Sequence, residues 1–152
     1  VFWVWDNPTQ SYQQISANAS SANAGQGTSR GFWLFSESSG TLSYRGTRTE
    51  SRTVSLGRGW NVIGLPRIDS VQTDQLTVSN GANEEFLSEA GCDDLPATDP
   101  SCLLFSFVFR WVGSYTSLDV SQVPVLQPER AYWIYLWTPV TLDFFPLSNE
   151  GP

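Results

Sequence analysis

The sequence predicts an all-β protein, a β-sandwich built from one partial and one complete copy of a related module. Three observations carry this prediction. Short aromatic or β-branched runs bounded by Gly, Pro, Asn or Ser recur along the whole chain. Helical patterning is scarce. One aromatic pattern occurs twice, as RGFWLF at 30–35 and as RAYWIY at 130–135.

The candidate strands are VFWVW, GFWLF, TLSYRG, RTVSL, NVIGL, QLTVS, LLFSFVFRWV, AYWIYLW and VTLDFF. Residues 16–29, SANASSANAGQGTS, are small, polar and low in complexity, which predicts an exposed loop or linker. Asn18-Ala19-Ser20 within it spells a glycosylation acceptor. The one candidate helix is NEEFLSEA at 83–90, with Asn83 as its N-cap, Glu84 and Glu85 in its first turn and Gly91 as its stop. Segment 83–102 holds Glu84, Glu85, Glu89, Asp93, Asp94 and Asp99, and reads as an acidic insertion outside the core.

The repeat extends beyond the paired hexapeptides. FWVWDNPTQSY at 2–12 matches FVFRWVGSY at 107–115: an aromatic strand ending in Trp5 or Trp111, a turn, then Ser-Tyr. Thr41-Leu42 matches Thr141-Leu142 at the same offset as the hexapeptides. VSLGRGWNVIGLP at 54–66 has no counterpart ahead of the first copy. Residues 1–48 are therefore expected to be the second half of a module, and residues 49–152 a complete one with the insertion at 83–102.

The order of a GWNxIGxP strand, a Trp-turn-Tyr hairpin and a GYWI-like strand resembles the tandem β-modules of large secreted bacterial surface proteins. The matching residues are Gly59, Trp60, Asn61, Ile63, Gly64 and Pro66, then Trp111 and Tyr115, then Tyr132, Trp133 and Ile134. The resemblance covers most of 54–146, and half of it recurs in 1–45. It departs from the pattern at Ala131, where Gly is usual, and in the acidic cysteine segment. It implies a β-module fold and says little about role.

Composition narrows the function. All eight basic residues are Arg, against fifteen acids, for a net charge of -7. Nucleic acid is a poor partner, because phosphate binding needs a clustered positive surface. An anionic membrane surface is disfavoured for the same reason. No window approaches the roughly 18–20 apolar residues of a membrane helix, so membrane insertion is not expected.

With neither His nor Lys, the chain cannot assemble Ser-His-Asp, Cys-His or Ser-Lys machinery. Asp6, Asp69, Asp119 and Asp143 sit at strand ends, where turn-capping Asp is common, so a carboxylate hydrolase is not favoured. No enzyme and no cofactor are expected. Asp93, Asp94 and Asp99 are weak calcium candidates without DxDxDG spacing.

Cys92 and Cys102 bracket a Pro-containing loop and read first as a disulfide, with two free buried thiols as the alternative. A disulfide points to an oxidising, extracellular or cell-surface setting.

Along GFWLF and AYWIYLW both strand faces are apolar. Trp5, Trp33, Trp60, Trp111 and Trp133 are therefore read as core positions of the repeat rather than sugar platforms. The expected function is a secreted structural protein that self-assembles through β-strand edges into a filament or surface layer. Its partners would be other copies of itself. The alternative is a carbohydrate-binding or adhesive module, with glycans as partners and Trp137, Tyr115 or Trp5 as exposed platforms.

Overall fold

A computed structural model describes residues 2–15, 31–35, 37–39, 53–66, 69–93 and 99–144. The described chain is all-β. Strands β1 (Phe2–Asp6) and β2 (Ser11–Ile15) form a hairpin, and β3 (Phe32–Leu34) pairs with β1. Next come β4 (Thr53–Leu56), β5 (Gly59–Gly64), β6 (Val71–Gln72), β7 (Thr77–Ser79), β8 (Glu84–Phe86), β9 (Gly91–Cys92) and β10 (Leu104–Phe105). The second hairpin is β11 (Phe107–Trp111) with β12 (Tyr115–Asp119), followed by β13 (Val125–Leu126), β14 (Ala131–Leu136) and β15 (Val140–Asp143).

These strands make a β-sandwich. One layer has the order β4-β15-β7-β8. The next is centred on β14, which pairs with β5 along its whole length and with β11 and β10 opposite, β12 lying outside β11. A small β13-β6 ladder closes one end. Period-two alternation decides what lies between the layers. Tyr132, Ile134 and Leu136 of β14 face inward with Ile63 and Val108, and meet Leu56, Val78 and Leu142 of the other sheet in one buried cluster. Leu76, Leu87, Leu103, Leu126 and Phe144 are among the other members of it.

Several buried polar groups of the core find partners, while Arg110 Nε, Trp133 Nε1 and Trp137 Nε1 are buried without a hydrogen bond among the described residues. Thr73 Oγ1 donates to the Val120 carbonyl at 2.9 Å, and the Tyr132 hydroxyl accepts from the Gln127 amide at 2.7 Å. Asn61 Nδ2 donates to the carbonyls of Gly57 and Gly59 at 2.8 and 3.0 Å, fastening the β4–β5 turn. Gly59 has φ +92, a conformation that disfavours a side chain.

Segment 83–90 is a strand and a turn, not a helix. Asn80 Oδ1 accepts from the amides of Ala82 and Asn83, and Gly81 takes φ +87, so Asn80-Gly81 makes a hairpin turn that lays β8 against β7. Asn83, read as a helix cap, instead donates to the Pro100 carbonyl at 2.9 Å. The acidic segment is also not a decoration outside the core. Its strand β9 pairs with β10, and Leu87 and Ala90 are fully buried.

Cys92 and Cys102 form a disulfide with a sequence separation of 10. No helix among the described residues is long and apolar enough to cross a membrane. The expected boundary between residues 48 and 49 lies outside the described residues, as do the TLSYRG strand and the 16–29 loop with Asn18.

Candidate functional site

The sheet β2-β1-β3 lies against the face of the β14 sheet opposite the aliphatic core, and aromatic rings fill the space between. Trp133 meets Trp5 and Tyr12 edge-on, at centroid distances of 4.8 and 5.8 Å. Trp33 meets Trp111 and Tyr115 in the same way, at 5.6 and 6.4 Å. Trp60 joins Phe109, Trp133 and Tyr135 at 5.8, 6.0 and 5.1 Å. Edge-to-face geometry is what ring quadrupoles favour.

Polar contacts anchor the N-terminal sheet onto the GWN segment. The Trp60 carbonyl accepts from Trp5 Nε1 at 2.7 Å and from Asn7 Nδ2 at 2.9 Å. The Trp60 amide donates to Gln10 Oε1 at 2.8 Å. Gln10 holds a left-handed φ of 48 in the β1–β2 turn, which aims its amide at the β5 backbone. The Gly31 amide donates to the Val62 carbonyl at 3.2 Å.

The paired patterns occupy matching registers. Trp5 lies opposite Tyr12 as Trp111 lies opposite Tyr115. Trp3 lies opposite Trp33 as Phe109 lies opposite Trp133. The order β2-β1-β3 thus repeats as β12-β11-β14. On this alignment Phe32 corresponds to Tyr132, Leu34 to Ile134 and Ile15 to Leu118.

None of the five tryptophans read as core positions belongs to the buried cluster. Trp5, Trp33, Trp60 and Trp133 are half-buried in the aromatic interlayer, and Trp111 keeps 46% of its surface exposed. The correction has a simple cause. The strands are apolar on both faces, as read, but aliphatic chains and Tyr132 take the core side while tryptophans take the other.

Of the platform candidates, Tyr115 is exposed, whereas Trp137 is half-buried edge-on between Tyr135 and Phe105. A cleft of about 510 Å³ opens in the interlayer, lined by Trp5, Tyr12, Trp60, Phe109, Tyr115 and Trp133. Burial beside the Tyr115 phenol pushes the Tyr12 hydroxyl up to about 12.

Among the calcium candidates, Asp93 is exposed, and Asp99 accepts from the Ser101 amide and hydroxyl at 2.9 and 2.6 Å, which lowers its pKa. Asp94 lies outside the described residues. No group of three or more His, Cys, Asp or Glu side chains that could hold a metal ion occurs among the described residues.

The outer face of the N-terminal sheet is the feature that single-residue reading missed. Phe32 and Leu34 each expose 42% of their surface, while Tyr132 and Ile134, their counterparts, expose 0 and 1%. Carrying the repeat through position by position would have picked out this pair. The chain matches no known family, no curated protein and no solved structure.

Proposed function

We propose that this chain is a structural module of an extracellular assembly, joining further copies through its N-terminal three-stranded sheet. One observation carries the reading. Phe32 and Leu34 present apolar surface to solvent at positions that the second copy of the same strand pattern buries almost completely. An apolar sheet face with a covered twin is a face fitted for a cover.

Other features support it. The disulfide suits an oxidising compartment, and a chain with neither His nor Lys lacks the usual nucleophile and base pairs. The resemblance to tandem β-modules of secreted bacterial surface proteins fits the same role. Contacts that pair one face with a different face propagate into open fibres or layers unless the rotation between copies closes a ring.

The test is light scattering and electron microscopy over a concentration series. The wild type should grow in mass with concentration, and Phe32→Ser with Leu34→Ser should hold it at the mass of one chain. A wild type that stays monomeric at the highest concentration reached would sink the proposal.

A second reading has its own observation, the aromatic cleft with exposed Tyr115 at its rim. Aromatic faces stack on sugar rings, so the cleft is where a glycan would bind. Binding on a glycan array that disappears with Tyr115→Ala, in a chain that stays folded, would favour this reading. An array with no signal removes it.

A further inference from the structure

The aromatic cleft does not end at its tryptophans. Trp133, which lines it, also lines a smaller cavity of about 140 Å³, together with Trp33, Trp111, Glu129 and Arg130. Glu129 and Arg130 in turn line a third cavity, of about 460 Å³, with Ser70 and Gln127. Shared walls thus join an aromatic end to a polar end.

The polar end is held from the core. Gln127, Pro128, Glu129 and Arg130 connect β13 to β14, and the Gln127 amide donates at 2.7 Å to the hydroxyl of Tyr132, a wholly buried side chain. Pro128 suits the second place of a turn whose third place, at left-handed φ, favours Gly or Asn. Glu129 stands there instead, at φ +58. Turn chemistry does not call for a carboxylate here, and a residue other than glycine carries strain in this conformation. Glu129 and Arg130 are both exposed, and no hydrogen bond or ion pair among the described residues engages either side chain. A carboxylate acceptor and a guanidinium donor fork are therefore available where the two cavities meet.

We infer that Glu129 and Arg130 read the hydroxyls of a neutral oligosaccharide, one ring of which lies against Trp111. The inference rests on the glycan reading above and extends it from the aromatic cleft to the cavities beyond Trp133. Aromatic walls hold a sugar by its apolar face but leave its hydroxyls unmet, so orientation needs a few fixed polar groups. None of the residues lining the aromatic cleft is charged, whereas the adjoining cavities carry the Glu129–Arg130 pair. Trp111 keeps 46% of its surface exposed beside that pair, which leaves it able to receive a ring. An anionic sugar is disfavoured, because a carboxylate neighbours the guanidinium and the chain carries a net charge of -7.

The test is a printed array of neutral and acidic glycans probed with the disulfide-intact chain, followed by calorimetric titration of the strongest neutral oligosaccharide. Binding to neutral glycans is expected, with little change between low and high salt. Arg130→Ala and Trp111→Ala should each weaken it on the order of tenfold. Glu129→Gly separates recognition from folding, because the two should move in opposite directions. Affinity falls on the order of tenfold, while the melting temperature holds or rises as the left-handed position receives glycine.

Neutral-glycan binding that survives both Glu129→Gly and Arg130→Ala overturns the inference. If Tyr115→Ala abolishes that same binding, the glycan reading of the aromatic cleft stands without it. Signal from acidic glycans alone also overturns the inference, and a silent array removes it together with the glycan reading.

Discussion

Leu34 and Ile134 occupy the same place in two copies of one strand pattern, yet the structure gives them different environments, and this difference is measurable. Fully burying a Leu or Ile side chain contributes about 1.5–3 kcal/mol, and truncation in a packed core adds the cost of the cavity left behind. Ile134 is 1% exposed within the aliphatic cluster, so Ile134→Ala is expected to cost about 3–4 kcal/mol. Leu34 leaves 42% of its surface in water, and solvent fills whatever Leu34→Ala vacates, so about 1 kcal/mol or less is expected. Urea unfolding of both variants at low protein concentration reads the difference directly.

The same pair reports on assembly. A contact made only by the folded chain stabilises it by mass action, so the wild-type melting temperature should rise with protein concentration. Leu34→Ala should remove most of that rise, while Ile134→Ala lowers the curve without flattening it. Equal costs for the two truncations in dilute solution would refute the reasoning, because they would mean that the outer face is already covered within the single chain.

Reducing the Cys92–Cys102 bridge should cost about 2.5–3 kcal/mol, since it releases a loop of separation 10, and differential scanning calorimetry of the Cys92→Ser, Cys102→Ser chain checks it. Asn61→Ala strips two hydrogen bonds from the β4–β5 turn and leaves part-buried carbonyls without that partner, so a loss of about 1–2 kcal/mol is expected in urea, against nearly none for exposed Asp93→Ala. Tyr12, whose pKa rises from 10.0 to about 12 through burial and then through Tyr115, favours the neutral phenol in the folded state. Its contribution to stability is therefore present below about pH 10 and lost as pH climbs towards 12. Absorbance titration at alkaline pH should show a late-ionising component that disappears in Tyr12→Phe and moves earlier in Tyr115→Phe, and a Tyr12 that ionises at its ordinary value would contradict the interlayer geometry.

Much of this architecture was legible because alternation and turn chemistry act locally. The paired aromatic strands, the Cys92–Cys102 bridge and the absence of long helices among the described residues follow from residue types within a few positions of each other. Segment 83–90 misled because Asn83, Glu84 and Glu85 suit a helix start equally well, and what decides against it is the Asn80-Gly81 turn just upstream. The tryptophans misled for a different reason. Sequence shows that both faces of a strand are apolar, but not which of two neighbours each face will meet. That choice is tertiary: branched chains and Tyr132 pack at the density of the aliphatic core, while the larger indoles meet edge-on on the other face, where Trp5 Nε1 also reaches the Trp60 carbonyl.

The GWN segment links these levels. Gly59 leaves room at its Cα for the Gln10 amide, the Trp60 backbone takes the anchors of the first hairpin, and Asn61 points the other way to brace the turn beneath. One short strand thus binds both layers, and its alternation sends docking groups to one side and fold-holding groups to the other. A sheet built this way is never finished by a single cover. Its aromatic face needs a second sheet and its aliphatic face another, so in the proposed assembly each added copy would cover one side and bring a new uncovered one. Among the described residues the second copy has both covers, while the first has the aromatic one and keeps Phe32 and Leu34 each 42% exposed. In the proposed assembly, growth would be by addition at that surface, and it would stop where a copy arrives whose outer face is polar.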